Sequence, residues 1–202
     1  DLHSFPTRRS SDLFVSLWLS ISAATLHATP REVYEYLYFI YSKKITNKKM
    51  SERRVLKAPF TDDVVRSLKA GDMVYISGTI YTARDAAHKR LVEMLADGQP
   101  MPFDFDGQAV YYAGPCPAKP GKPIGSVGPT TGGRMDAYSP TLIAEGLKVM
   151  IGKGSRSKEV VDALKQYTGV YFAAIGGAAA LMAKCVKSAE VIAFDEIGRA
   201  HV

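Results

Sequence analysis

The chain has 202 residues, 47% of them hydrophobic and 23% charged, which is the composition of a globular domain and excludes a disordered or fibrous protein. Its formal net charge is +6, but residues 14–49 contribute +3 and Arg199 another +1, so residues 50–196 carry only +2. A surplus this small does not favour a nucleic-acid partner.

The two ends of the chain differ in character from its middle. Residues 1–13 and residues 197–202 resemble translated sequencing-adapter DNA, and we expect neither to belong to the fold. Residues 14–49 open with a short apolar run that resembles the core of a secretory signal and is too short to span a bilayer, so we expect no membrane partner. We interpret this segment as non-native upstream sequence or a leader, and we place a C-terminally truncated domain at residues 50–196.

Between residues 73 and 194 the hydrophobic pattern alternates between strand and helix periods. An alternating run rich in β-branched and aromatic residues predicts a first strand at residues 73–82. Further strands are predicted at residues 108–113, 148–151, 170–175 and 191–194, and helices at residues 84–96, 157–167 and 178–186. Strands that alternate with helices predict an α/β domain with a layered sheet and flanking helices.

The two cysteines, Cys116 and Cys185, lie far apart in the sequence. There is no CxxC pair and no cluster of histidine with cysteine, so we expect the chain alone to hold neither a metal ion nor an iron–sulfur cluster. We expect both thiols to be reduced, as in a cytosol-like compartment, and buried.

A first polar segment, residues 82–90, lies where a predicted strand meets a predicted helix. In the simplest interpretation Asp85 caps the helix and the basic residues are solvated. Alternatively, Arg84 lies at the carboxyl end of a strand, which is where open α/β sheets bind ligands.

Two glycine-rich segments favour anion binding. Residues 128–136 combine glycines, which let backbone amides approach an anion, with two threonine hydroxyls and the guanidinium of Arg134, which matches a carboxylate. Residues 152–157 run from a strand end into a helix start, where free amides and the helix dipole favour an anion close to Lys153.

Several motifs, in this order along the chain, resemble the β-type catalytic domain of class I fumarases and tartrate dehydratases. They are GDMVYISGTIYTARDAAH from residue 71, YYAGP from residue 111, GPTTGGRMD from residue 128, GKGSRS from residue 152, IGGAAA from residue 175 and KSAEVI from residue 187. The resemblance covers residues 50–196 and implies a swivelling β/β/α domain.

The resemblance also implies a function. It predicts a hydro-lyase β component that binds a 2-hydroxy dicarboxylate over a [4Fe–4S] cluster, with the cluster cysteines in a separate α domain or α subunit, in a cytoplasmic hetero-oligomer. By motif position, Arg84, Arg134 and Lys153 bind the dicarboxylate, and Thr130 takes part in proton transfer. Malate or fumarate and tartrate remain open as substrates.

Other polar residues of these motifs are expected to support the site without contacting substrate. Asp85, His88 and Asp136 are expected to orient it, and Arg156 is expected to be structural. A non-catalytic module, which would bind a dicarboxylate or bridge partners on the same scaffold, is the alternative to the enzyme. Because a bridging module would not need Arg84, Thr130, Arg134 and Lys153 together, their joint presence favours the enzyme.

Overall fold

The computed structural model describes the backbone of residues 19–21 and all of residues 54–197. The adapter-like segment 1–13, most of the segment 14–49 and residues 198–202 lie outside the described residues. None of the described helices is long and apolar enough to cross a membrane.

The described elements alternate between strand and helix. The strands are β1 (Leu19–Ile21), β2 (Arg54–Lys57), β3 (Met73–Ser77), β4 (Tyr81–Thr82), β5 (Ala109–Tyr111), β6 (Val149–Gly152) and β7 (Val170–Ala174). The α-helices are α1 (Asp62–Arg66), α2 (Asp85–Ala96), α3 (Ser139–Ala144), α4 (Lys158–Gln166) and α5 (Ala179–Cys185), and a 3-10 turn spans Gly132–Met135.

The strands form one sheet in the order β2-β3-β1-β7-β6-β5-β4. Strands β4 to β7 are parallel to their neighbours, and β2 is parallel to β3. β1 lies between β3 and β7 and is antiparallel to both. This mixed sheet with flanking helices confirms the predicted α/β class.

Both faces of the sheet are covered at β5, β6 and β7. Successive residues of a strand point to opposite faces. In β5 and β6, accordingly, Tyr111 and Ile151 belong to one hydrophobic core, with Met182 of α5, while Val110 and Met150 belong to a second. The second core also contains buried residues of α2, α3 and α4, namely Leu91, Leu142 and Val160. Burial on both faces explains why β5 and β6 read as continuous apolar runs in the sequence.

Two strand predictions are wrong. Residues 73–82 do not form one strand, because the chain turns at Gly78, whose φ of +101° favours glycine, and β4 then pairs with β5 on the far side of the sheet. Residues 191–194 do not form a strand either. Val191 and Ile192 are exposed, and the φ of +58° at Phe194 ends any extended run.

Candidate functional site

The carboxyl ends of three adjacent parallel strands carry the predicted site. Arg84 follows β4 and Lys153 follows β6, with the end of β5 between them. Thr130 is joined to both neighbouring strands: its amide donates to the carbonyl of Tyr112 (2.6 Å), and its carbonyl accepts from the amide of Lys153 (3.1 Å). The amide of Gly132 then donates to the carbonyl of Lys153 (2.7 Å). The loop that carries Thr130 therefore extends the sheet at its carboxyl edge.

Arg84 is held at the junction between β4 and α2. It is the N-cap residue of α2, and its side chain lies over Gly114, where an added β-carbon would stand 2.9 Å from Arg84 Cδ. Its Nε atom is buried, has no hydrogen-bond partner among the described residues and lies 3.6 Å from Oδ1 of Asp85. The close approach to Gly114 keeps the Arg84 side chain against the end of β5.

Asp85 connects the two arginines. Its Oδ2 accepts a hydrogen bond from Arg134 Nη2, and the two side chains form an ion pair. Burial alone would raise the pKa of Asp85, but hydrogen bonds from its own backbone amide and from Arg134 lower it below its usual value. The prediction that Asp85 caps the helix is wrong, because Asp85 is the first helical residue and its carboxylate is directed to Arg134.

The predicted site residues thus form two pairs at one edge of the sheet. Arg84 and Arg134 meet through Asp85, and Thr130 and Lys153 meet through their backbones. Among the residues that the structure describes, no hydrogen bond or ion pair joins the side chains of one pair to those of the other. Lys153 and Arg134 are exposed, and Thr130 is half-buried.

Arg156 is the buried centre of a network beneath this edge. Only 3% of its side chain is exposed. Its Nε donates to Oδ1 of Asp136 (2.7 Å), Nη1 to the hydroxyl of Tyr112 (3.2 Å) and Nη2 to Oγ of Ser139 (2.7 Å). Its guanidinium also lies over the rings of Tyr112 and Tyr171, with its carbon 5.2 and 4.8 Å from their centroids. Arg156 is thus held inside the fold, as expected of a structural residue.

The carboxylate of Asp136 contacts the segment 152–157, for which the sequence predicted anion binding. Its second oxygen, Oδ2, accepts a hydrogen bond from the amide of Ser157 (2.7 Å) at the start of α4. An internal carboxylate therefore lies where the sequence suggested an external anion. Asp136 and Arg156 are twenty residues apart, and the sequence pattern gave no signal of this pairing.

His88 lies in the first turn of α2, four residues after Arg84. The side chain is fully buried, and its Nδ1 donates to the backbone carbonyl of Arg84 (2.9 Å). The ring packs edge-on against Tyr112, with the centroids 5.1 Å apart. Burial lowers the pKa of His88 to about 4, so the ring is neutral near pH 7 and serves to fix the backbone at Arg84.

The cysteines lie in different environments. Cys185 is buried as predicted, but Cys116 is exposed, so the prediction of burial is wrong for that residue. Cys116 lies in a proline-rich loop after β5, tied by its backbone amide to the carbonyl of Ser126 (2.9 Å), and this loop leaves its side chain outside both cores. Within the described residues, no group of three or more histidine, cysteine or acidic side chains could hold a metal ion.

Comparison with known proteins shows the family of the chain. The family model described as Fumarase C-terminus matches residues 29–202. The chain is 41% identical over 138 residues to a putative L(+)-tartrate dehydratase subunit beta of Methanocaldococcus jannaschii, a match that covers 66% of this chain and 71% of that protein.

Matches to fumarate hydratases cover a smaller share of the relative. The chain is 40% identical over 154 residues to a putative fumarate hydratase class I of Geobacillus stearothermophilus, covering 73% of this chain and 29% of the relative. It is 42% identical over 125 residues to the aerobic fumarate hydratase class I of Escherichia coli, covering 61% and 23%. The chain therefore spans less than a third of these fumarate hydratases. On the strength of the family match, which takes in most of its length, the chain belongs to the Fumarase C-terminus family.

Proposed function

We propose that this chain is the β component of an iron–sulfur hydro-lyase, which binds a 2-hydroxy dicarboxylate for the reversible elimination of water. The observation that carries the proposal is that two sets of residues, Arg84 with Arg134 and Thr130 with Lys153, both lie at the carboxyl edge of β4, β5 and β6. Ligands of open α/β sheets bind at this edge. The likeness to proteins named fumarate hydratase and tartrate dehydratase supports the same chemistry.

The charge at this edge fits a dicarboxylate. Among the described residues at this edge, Arg84, Arg134 and Lys153 are offset by the carboxylate of Asp85, since Asp136 is paired with Arg156, which leaves an excess of two positive charges. A dicarboxylate carries two negative charges, and guanidinium groups bind carboxylates through short, charge-assisted hydrogen bonds. Substrate binding through Arg84, Arg134 and Lys153 would therefore neutralise the site.

Thr130 is the residue that we propose for proton transfer. Its backbone amide and carbonyl are both used in the sheet extension, so the position of its hydroxyl depends on one side-chain rotation. A threonine hydroxyl is intrinsically a weak base. It can nevertheless relay a proton between the substrate and another group, on the substrate itself or on a partner. The elimination requires removal of a proton next to a carboxylate, which the arginines would hold in place.

The described residues of this chain do not fit a [4Fe–4S] cluster. One cysteine is exposed, the other is buried and hydrogen-bonds to the carbonyl of Leu181, and neither lies in a group of possible metal ligands. We therefore propose that an α subunit carries the cluster and that the two subunits form a cytoplasmic hetero-oligomer. The match to a protein named as a subunit beta supports this division.

Reconstitution tests the proposal. The full chain is mixed anaerobically with an iron-loaded α subunit of a tartrate dehydratase, and turnover of L-malate, fumarate and tartrate is followed. We expect no turnover by either component alone and turnover by the mixture. Turnover by the iron-free chain alone would overturn the two-component proposal. Dicarboxylate binding without turnover in a stable complex would identify a non-catalytic binding module instead.

A further inference from the structure

The two arginines of the candidate site need a partner that keeps them together. Arg84 and Arg134 belong to different elements, the start of α2 and the 3-10 turn, and both approach Asp85. Two guanidinium groups repel each other, and long side chains lose conformational entropy when they are held in one place. A carboxylate between them offsets the repulsion and reduces the motion of both.

Arg134 depends most on this contact. Its side chain is 52% exposed, and it extends from a short turn that begins with two glycines. Among the described residues, Asp85 supplies the carboxylate that pairs with it. Because the contact uses Nη2, the guanidinium keeps further N–H groups for a ligand.

Asp85 itself has a rigid base. It is the first residue of the twelve-residue helix α2, where the helix dipole favours a negative charge. One turn further on, His88 is buried and bonds to the carbonyl of Arg84, and Leu91 anchors the same helix in the second core. Packing of α2 therefore fixes the backbone that carries the Asp85 carboxylate, independently of the arginines.

We propose that Asp85 is the positioning residue of the site: it holds Arg84 and Arg134 side by side, so that one dicarboxylate can use both guanidinium groups. The inference rests on the proposed function, because it concerns the same arginines. In this role Asp85 acts through the arginines and does not contact the reacting atoms. Its loss should weaken ligand binding more than folding.

Binding and side-chain dynamics test the inference. The full chain and its Asp85→Asn and Asp85→Ala variants are titrated calorimetrically with L-malate and with tartrate. Losing a charge-assisted contact should raise the Kd by about tenfold, more for alanine than for asparagine, with the thermal midpoint nearly unchanged. Independently of any ligand, NMR should show the Arg134 guanidinium rotating slowly in the unmodified chain and faster in both variants. Asp85→Glu, which keeps the charge, should restore part of the affinity.

A second aspartate provides the control. Asp72 pairs with Arg54 at 3.4 Å, with a side-chain exposure of 33% against 35% for Asp85, and Asp72→Asn should change neither the Kd nor the rotation of Arg134. Unchanged dicarboxylate affinity, or unchanged Arg134 rotation, in Asp85→Ala would overturn the inference. If neither the unmodified chain nor its complex with the α subunit binds a dicarboxylate while Asp85→Ala still frees Arg134, the positioning role stands and the substrate class of the proposed function fails.

Discussion

The hydroxyl of Tyr171 fills the space where a side chain at residue 132 would lie: a β-carbon on Gly132 would stand 2.7 Å from that oxygen and 2.9 Å from Cδ of Arg156. Both neighbours are buried beneath the turn that carries Arg134. Gly132 is therefore required by what lies below it, and the turn can approach the sheet only because residue 132 has no side chain.

We predict that Gly132→Ala destabilises the domain. Overpacking a filled interior costs about 1–3 kcal/mol, which should appear as a lower free energy of unfolding in urea. Gly133→Ala is the matched control, because its β-carbon would meet no heavy atom closer than 3.8 Å. Since the Tyr171 hydroxyl has no hydrogen-bond partner in the part of the chain that the structure describes, adding Tyr171→Phe should recover part of the loss. Equal stability of the two alanine variants would contradict this account.

We predict that Arg156→Lys is strongly destabilising. Lysine keeps the charge but cannot donate to Asp136, Tyr112 and Ser139 at once, and buried polar groups left without partners are costly. The free energy of unfolding should fall by about 2–4 kcal/mol. Arg66→Lys, at a side chain that is 66% exposed, should change it by less than about 0.5 kcal/mol. A small effect at both positions would show that the network is not needed for stability.

We predict that His88 makes stability depend on pH between 6.5 and about 4. Because burial lowers the pKa of His88 from 6.5 to about 4, the unfolded chain binds a proton in this range and the folded chain does not. Above pH 6.5 His88 is neutral in both states and the free energy of unfolding is not reduced. As the pH falls towards 4, the free energy of unfolding decreases by up to about 3 kcal/mol. His88→Asn cannot titrate, so its stability should fall less steeply across this interval. Parallel pH profiles of the two proteins would rule out the assignment.

We predict different kinetic effects for Arg134 and Thr130 in the reconstituted complex. Arg134→Lys loses the planar guanidinium that matches a carboxylate, so kcat/KM should fall by about tenfold or more, mainly through KM. Thr130→Val keeps the shape but removes the hydroxyl, so its loss should appear mainly in kcat. The control is Arg66→Lys, because Arg66 bonds to Thr168 at the opposite, amino-terminal edge of β7. Unchanged kinetics in both site variants would remove this loop from the substrate site.

Local sequence patterns predicted those strands and helices whose own residues show a clear hydrophobic period. The apolar runs that became β6 and β7 and the helical spacing that became α2 and α4 match the structure to within one or two residues. Arg84 was correctly expected at a strand-to-helix junction, because the change of period marks that junction. By contrast, α1 and α3 have five and six residues, too few for a helical period to show.

The remaining features depend on contacts between distant parts of the chain. The pairing of β4 with β5 instead of β3 is set by Gly78 and by the whole sheet, and no local pattern encodes it. Similarly, Asp85 meets Arg134 across 49 positions. Spacing along the sequence could place each residue at a strand end or in a turn, but it could not identify which carboxylate each arginine would meet.

The chain contains a buried arginine, Arg156, which pairs with Asp136, and an exposed arginine, Arg134, at the candidate site. Asp136 is part of the same folded chain and is held in the buried network, so Arg156 does not take up a carboxylate from solution. One carboxylate oxygen of Asp136 accepts from Arg156, and the other accepts from the amide of Ser157 at the start of α4. A dissolved anion would have to replace both hydrogen bonds in order to bind there. Arg134, in contrast, is 52% exposed, and its guanidinium keeps N–H groups that the proposed substrate could use. Under the proposed function, the pairing of Asp136 with Arg156 would keep a dicarboxylate from binding at Arg156 instead of at Arg134.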